Sequence, residues 1–117
     1  MFLLSLLLCL RILIKGANSG KYLSHSNGKL MSVKEAAEGS HWIPRVSPMG
    51  GLVLVNAVSG AVIDLTGANA AAGTAIQMCT NNFTSAQAWR FVAASFIDDG
   101  VYVVVNQSSG DRVLDVA

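Results

Sequence analysis

The chain has 117 residues, which suits one small domain. Its net charge is +1 and only 13% of its residues are charged, so the composition offers neither a basic face for nucleic acid nor an acidic solvating tail. Glycine is plentiful, glutamate and lysine are scarce, and β-branched residues dominate after residue 50, which favours strands and turns over helices.

Residues 1–10 form an apolar run, Met-Phe-Leu-Leu-Ser-Leu-Leu-Leu-Cys-Leu. The run is too short for a membrane-spanning helix, which needs about 20 apolar residues, so a membrane partner is not expected. It has the length of a signal-peptide core, but it lacks a basic segment before it and a small-residue cleavage site after it. The alternative interpretations are a strand of the domain or the scar of a truncated gene.

The two cysteines are Cys9, in the apolar run, and Cys79, at the end of a predicted strand. A bridge between them would require a short Cα separation that the sequence does not establish. We therefore expect two free, mostly buried thiols, and the cysteine count does not identify a redox compartment.

Three segments share one pattern: an apolar strand, a polar turn ending in Ser-Gly, and a second short apolar strand. They are residues 12–24, 52–64 and 102–115. Glycine supplies the positive φ that a turn between two strands requires. The two tryptophans, Trp42 and Trp89, recur at a similar interval. Two independent markers thus indicate an internal repeat of about 40–50 residues.

The repeats divide the chain into an apolar N-terminal segment and one domain. We expect the segment at residues 1–10, the domain at 11–117, and repeats at about 11–50, 51–97 and 98–117, with the third stopping before its second half. Short, evenly spaced strands predict an antiparallel, barrel-like all-β fold.

Two local signals interrupt this strand pattern. Pro44 and Pro48 predict a turn between the first two repeats. Residues 31–38 have modest helical propensity. We discount a helix there because the matching stretch of the second repeat, residues 67–73, consists of Gly, Ala and Asn.

The second repeat carries recognisable motifs, namely Ser59-Gly60-Ala61-Val62-Ile63-Asp64-Leu65, Ile76-Gln77-Met78 and Gln87-Ala88-Trp89-Arg90-Phe91. Together they resemble one repeat of the ricin-B lectin family, and residues 100–105 with 113–116 resemble the opening of the next. The likeness is weaker in residues 11–50, where Ser40-His41-Trp42 replaces the family's Gln-x-Trp motif. The resemblance implies a β-trefoil of three repeats, here two nearly complete and a third truncated.

The resemblance also implies roles for the motif residues. The tryptophan of each motif packs in a shared core, so we expect Trp42 and Trp89 to be core residues rather than sugar-stacking platforms. The motif glutamine ties a loop to the backbone, which gives Gln87 a structural role beside any role in binding.

The same resemblance predicts a sugar site. Asp64 matches the aspartate whose carboxylate accepts hydrogen bonds from sugar hydroxyls, and Asp115 matches the same anchor in the third repeat. The full set of expected carbohydrate-binding residues is Asp64, Gln77, Asn82, Gln87 and Asp115, with no metal and no cofactor. The alternative for Asp64 and Asn82 is a turn role, in which the side chains cap nearby backbone N–H groups.

Two positions depart from the family pattern and weaken this site. Cys79 stands where the family has a stacking aromatic, and Ala86 stands where an asparagine precedes the motif glutamine. Such contacts are worth about 1.5 kcal/mol each, so losing both removes a few kcal/mol from the site. We hypothesise that Phe83 replaces the missing aromatic face.

The first repeat has no matching site, because Ser24 stands where the family has its aspartate. His25, His41 and Tyr22 could form a different pocket there. Isolated histidines are more often surface or core residues.

The predicted function is non-catalytic, weak binding of galactose- or xylose-type glycans. The alternative is a degenerate β-trefoil scaffold for protein interaction that has lost sugar binding. An enzyme is not expected, because the chain has no Ser-His-Asp pattern of known spacing, no Cys/His metal cluster and no phosphate loop. Asp98-Asp99-Gly100 is better explained as a turn.

The expected partners are glycans or polysaccharides rather than nucleic acid. Modules of this family often accompany glycoside hydrolases or cell-surface proteins, which predicts a secreted or cell-surface location in a bacterium. A truncated trefoil would leave strand edges unpaired, and unpaired edges predict self-association.

Overall fold

The computed structural model describes residues 11–16, 18–69, 71, 73–93, 102–108 and 114. Within these ranges the chain has no α-helix and nine strands: β1 (Ile12–Leu13), β2 (Tyr22–Ser26), β3 (Lys29–Val33), β4 (His41–Val46), β5 (Leu52–Asn56), β6 (Val62–Leu65), β7 (Ile76–Cys79), β8 (Trp89–Ala93) and β9 (Tyr102–Asn106). Three 3₁₀ helices lie between strands, at Glu38–Ser40, Thr66–Ala68 and Ser85–Gln87. The all-β prediction is confirmed, and so is the rejection of a helix at residues 31–38.

The strands repeat one arrangement twice. In each repeat the first and fourth strands pair with each other, as Ile12 does with Trp42 and Leu52 with Trp89. The second and third strands form a hairpin, which is β2–β3 in the first repeat and β6–β7 in the second. The first and fourth strands of successive repeats also pair, so β1, β4, β5, β8 and β9 form one continuous antiparallel ladder.

All three segments that share the sequence pattern contribute equivalent residues to one core. The Leu23 N–H donates to the Ile14 carbonyl at 2.8 Å, and the Leu114 N–H donates to the Val104 carbonyl at 2.8 Å. All four side chains pack in the same hydrophobic cluster, together with Leu54 and Ile63 of the second repeat and with both tryptophans. Residue 114 therefore has the place in the third segment that Leu23 has in the first.

The predicted Ser-Gly turns are present wherever the structure describes them. Gly20 and Gly60 have φ values of 69° and 75°. Their N–H groups donate at 2.9 Å to the carbonyls of Gly16 and Asn56, which closes the two turns in the same way. The third pair, residues 109–110, lies outside the described residues.

The prediction that Pro44 marks a turn is wrong, because Pro44 lies inside β4, opposite Leu54 of β5. β4 pairs with β1 only at His41 and Trp42. Beyond those two residues, one edge of β4 has no partner strand in the part of the chain that the structure describes. Proline is tolerated where its missing N–H would face such an edge. Pro48 does lie in the turn between β4 and β5, as predicted.

Both tryptophans are core residues, as predicted. Trp42 is 0% exposed and Trp89 is 1% exposed. The indole N–H of Trp42 donates to the Leu23 carbonyl at 3.0 Å, and that of Trp89 donates to the Ile63 carbonyl at 3.1 Å. Each indole thus links the fourth strand of a repeat to the hairpin of the same repeat. The described part of the chain contains no helix with the length and apolar character that a membrane crossing requires.

We predict that Trp89→Phe lowers the free energy of unfolding by at least about 1 kcal/mol. The substitution keeps an aromatic ring but leaves the buried Ile63 carbonyl without its donor. Urea unfolding measures the change. As a control, Val46→Ala removes methyl groups from a side chain that is 86% exposed and should change stability by less than about 0.5 kcal/mol. Equal effects of the two substitutions would contradict the structural role of the indole N–H.

Candidate functional site

The pairing of β6 with β7 brings the predicted site residues together. Asp64 lies opposite Gln77, and Val62 lies opposite Cys79. Since side chains alternate along a strand, these four residues share one face of the hairpin. The alternate pairs belong to the opposite face, and all their members pack in or against the core cluster: Ile63, Met78, Leu65 and Ile76.

The Asp64 carboxylate is held by two amide groups. Asp64 Oδ2 accepts a hydrogen bond from Gln87 Nε2 at 2.9 Å, and Oδ1 accepts a longer one from Gln77 Nε2 at 3.4 Å. Asp64 is only 6% exposed. A carboxylate has about four lone-pair positions. The two amide contacts therefore leave acceptor capacity on both oxygens.

Gln87 connects the hairpin to the loop at residues 80–84. Its side chain is fully buried in the 3₁₀ helix Ser85–Gln87. Gln87 Nε2 donates to the Thr80 carbonyl at 3.0 Å, and Gln87 Oε1 accepts from the Asn82 backbone N–H at 2.8 Å. The expected tie between the motif glutamine and a loop is present, and the same amide also holds Asp64.

The asparagines of this loop form turns, which was the structural alternative for Asn82. Asn82 Oδ1 accepts from the backbone N–H of Thr84 at 3.1 Å and from its hydroxyl at 2.7 Å. Asn81 Oδ1 accepts from the Phe83 N–H at 3.0 Å. The Asn82 side chain remains exposed, so its turn role does not remove it from the surface beside Gln87.

Phe83 is an exposed aromatic in an unusual backbone conformation. Its φ is 60°, in the left-handed region that bulky residues rarely adopt, and its side chain is 59% exposed. The turns at Asn81 and Asn82, together with the bond from Asn82 to Gln87, hold this conformation. The loop that carries Phe83 and the Asp64 carboxylate are thus both hydrogen-bonded to Gln87.

Cys79 is a free thiol next to the carboxylate. Burial raises the pKa of Cys79 above its ordinary value, and the negative charge of Asp64 raises this pKa further. The thiol is therefore neutral at neutral pH. The predicted anchor Asp115 and the other cysteine, Cys9, lie outside the described residues, as does the pair Asp98-Asp99.

In the first repeat, the position that corresponds to the Asp64 site is filled by close packing. Ser24 is buried where the second repeat has Asp64. A Cβ atom on Gly39 would lie 2.3 Å from the His25 carbonyl oxygen and 3.2 Å from Ser24 Oγ, so the backbone of the Glu38–Ser40 helix packs directly on β2. The equivalent residue of the second repeat, Ala86, carries a methyl group, which requires a wider spacing between the Ser85–Gln87 helix and β6.

The alternative pocket of Tyr22, His25 and His41 is not formed. Tyr22 and His25 are three residues apart in β2, so their side chains leave opposite faces of the strand. The Lys15 ammonium lies 5.5 Å from the centre of the Tyr22 ring, and His25 Nδ1 is hydrogen-bonded to Ser59 Oγ at 2.8 Å. Among the described residues, no group of three or more His, Cys, Asp or Glu could hold a metal ion.

Asn106 also contributes to this region, although it was not among the predicted site residues. Asn106 Nδ2 donates to the Ala86 carbonyl at 2.9 Å, directly before Gln87. The available signal was a repeated Val-Asn pair, at Val55-Asn56 and Val105-Asn106, at the same place in two segments.

Solved structures share this fold at low sequence identity. A designed three-fold symmetric protein, ThreeFoil, superposes with a TM-score of 0.73 and 23% identity, over 86% of this chain and 74% of that one. A GlcNAcα1-4Gal-releasing endo-β-galactosidase from Clostridium perfringens superposes with a TM-score of 0.71 and 18% identity, over 88% of this chain and 25% of that one. The exo-β-1,3-galactanase 1,3Gal43A from Clostridium thermocellum superposes with a TM-score of 0.71 and 24% identity, over 86% of this chain and 23% of that one. This chain thus spans about a quarter of each glycosidase chain.

Sequence comparison agrees with the fold. No curated protein sequence matches the chain. Two overlapping segments, residues 11–79 and 40–117, match the sequence profile of the family described as ricin-type beta-trefoil lectin domain-like, and together they cover every residue from 11 to the last. The chain therefore belongs to the ricin-type β-trefoil lectin-like family.

Proposed function

We propose that this chain is a non-catalytic carbohydrate-binding module that binds galactose- or xylose-type glycans weakly, through the site in its second repeat. The observation that carries the proposal is the buried Asp64 carboxylate, fixed by the Gln87 amide at 2.9 Å with acceptor capacity left on both oxygens. The other members of the site are Gln77, Asn82 and Gln87. By its place in the repeat, Asp115 would be the anchor of a second site.

The chemistry of this cluster suits a neutral polyol. Sugar hydroxyls are both donors and acceptors, and a hydrogen bond to an ionised carboxylate is stronger than one between neutral groups. The exposed amides of Gln77 and Asn82 can donate to hydroxyls as well as accept from them. Fixing the carboxylate before the ligand arrives reduces the ordering cost of binding.

Phe83 supplies the apolar half of the site in this proposal. The family position for a stacking ring holds Cys79, which has no ring. Phe83 is exposed, and its backbone lies in the loop that Gln87 holds, so the ring is carried by the same loop as Asn82. An aromatic face of this kind is worth about 0.5–1.5 kcal/mol against an apolar surface.

Galactose is the first ligand to test. Two proteins that share the fold are named for action on galactose-containing glycans, one releasing GlcNAcα1-4Gal and the other a galactanase. Attachment of this module to such a glycosidase, or to a bacterial secreted or cell-surface protein, is part of the proposal. So is self-association through strand edges.

A protein-interaction scaffold without sugar binding is the second candidate. Both oxygens of Asp64 already have protein partners, and the carboxylate is almost fully buried. Cys79 and Ala86 remove two of the contacts that the family uses. If these losses dominate, the hydrogen bonds of the site serve only the fold.

We predict that galactose shifts a defined set of amide resonances and that Asp64→Asn weakens the affinity at least about tenfold. The substitution keeps the size of the side chain and an acceptor for Gln87, but it removes the charge that strengthens bonds to hydroxyls. Amide correlation NMR measures both the affinity and the fold. Undiminished shifts in Asp64→Asn would exclude Asp64 as the anchor, and a wild-type chain that responds to neither galactose nor xylose would favour the scaffold.

We predict that Phe83→Ala weakens galactose binding about threefold to tenfold without loss of stability, because its ring is exposed in the free protein. The matched control is Val58→Ala, since Val58 is a comparably exposed apolar residue at 63%, in the turn between β5 and β6. Titration of both variants by the same NMR method gives the comparison. Unchanged affinity in Phe83→Ala would remove Phe83 from the site.

We predict that galactose protects Cys79 from alkylation. Thiolate is the reactive form, so the raised pKa of Cys79 places the midpoint of its alkylation rate above that of an ordinary cysteine, about 8.5. Asp64→Asn should lower this midpoint without restoring the ordinary value, since burial is the larger cause. Peptide mass spectrometry after iodoacetamide treatment gives the rate for Cys79 alone. An unchanged rate at saturating galactose would place the ligand elsewhere.

A further inference from the structure

Two asparagines, Asn56 and Asn106, have the same place in successive repeats. Each ends the first strand of its repeat, and each lies opposite the tryptophan of the preceding repeat, Trp42 or Trp89. Both side chains are almost fully buried. We call them the junction asparagines, because each connects its own repeat to the one before it.

The side-chain oxygen and nitrogen of each junction asparagine bond to different repeats. The side-chain oxygen caps its own turn: Asn56 Oδ1 accepts from Val58 N–H at 3.1 Å, and Asn106 Oδ1 accepts from Ser108 N–H at 3.0 Å. The side-chain nitrogen reaches back across the junction. It donates at 2.9 Å to a carbonyl of the preceding 3₁₀ helix, at Gly39 for Asn56 and at Ala86 for Asn106.

The two junctions lead to different chemistry. Ala86 precedes Gln87, whose amide holds the Asp64 carboxylate and the loop at residues 80–84. Gly39 precedes Ser40, whose hydroxyl accepts from the Ala37 N–H within its own loop. The same connection therefore ends at a candidate ligand site in one case and at a closed structural turn in the other.

We infer that Asn106 is a positioning residue for the sugar site of the repeat before it. The inference rests on the proposed function. The bond to the Ala86 carbonyl sets the orientation of the Ser85–Gln87 helix, and Gln87 transmits that orientation to Asp64. The site of the second repeat is thus completed by the first strand of the third. Without Asn106, the helix can tilt and the Gln87 amide moves relative to the carboxylate.

The test compares Asn106→Ser with Asn56→Ser in the full chain. Serine keeps a hydroxyl that can accept from the turn N–H but is too short to reach the preceding helix. We expect galactose affinity to fall at least about fivefold in Asn106→Ser and to stay within about twofold of wild type in Asn56→Ser. We also expect the side-chain amide resonances of Gln87, recorded without sugar, to move only in Asn106→Ser. If Asn106→Ser does not fold, the matched pair Asn106→Thr and Asn56→Thr, which keeps the hydroxyl acceptor and leaves a smaller cavity, replaces the serine pair.

The outcomes separate this inference from the proposed function. Equal loss of affinity in both variants would overturn the positioning role, because it would reflect general destabilisation. Unchanged affinity and unchanged Gln87 resonances in Asn106→Ser would also overturn it. If wild type binds no sugar, the proposed function fails, and a Gln87 shift confined to Asn106→Ser would still support transmission from Asn106 to Gln87.

Discussion

Burying an indole ring requires an acceptor for its N–H, and in both described repeats this acceptor is a carbonyl on the second strand. The bond fixes the fourth strand of a repeat against its own hairpin. The same bond also positions the residues that neighbour the tryptophan and its acceptor in the sequence. Gln87 is two residues before Trp89, and Asp64 is one residue after Ile63, so the bond from Trp89 to Ile63 brings the amide to the carboxylate. The site is thus a local consequence of a core contact.

Comparison of the two repeats shows which contacts the fold requires and which belong only to the candidate site. Trp42 and Leu23 make the same core contact as Trp89 and Ile63, but Ser24 accompanies them instead of an aspartate. The core contact is therefore sufficient for the architecture. A polar cluster in the other repeat costs desolvation, and its buried amide and carboxylate offset that cost by satisfying each other.

Much of the architecture could be predicted from the sequence, because its signals are local. The Ser-Gly turns and the recurrence of tryptophan identified repeats, and the resemblance to the family assigned Asp64 and Gln87 to one expected site. Contacts that depend on register could not be predicted this way. Examples are the position of Pro44 inside a strand and the bond that Asn106 makes to another repeat. The left-handed conformation of Phe83 was also not predictable, since phenylalanine rarely adopts it. Asn27-Gly28, which forms the β2–β3 turn with positive φ at both residues, is a further local signal of a hairpin.

The close packing of Gly39 on β2 constrains what the first repeat could become. Its backbone lies too near the His25 carbonyl for any side chain at that position, while the second repeat has room for the methyl group of Ala86. Placing a carboxylate at Ser24 and an amide at Ser40 would put larger side chains at two buried positions beside this close contact. Recovery of a ligand site there requires the main chain to move before new side chains can help. Small substitutions at Ser24 and Ser40 alone would therefore not give the first repeat the site of the second.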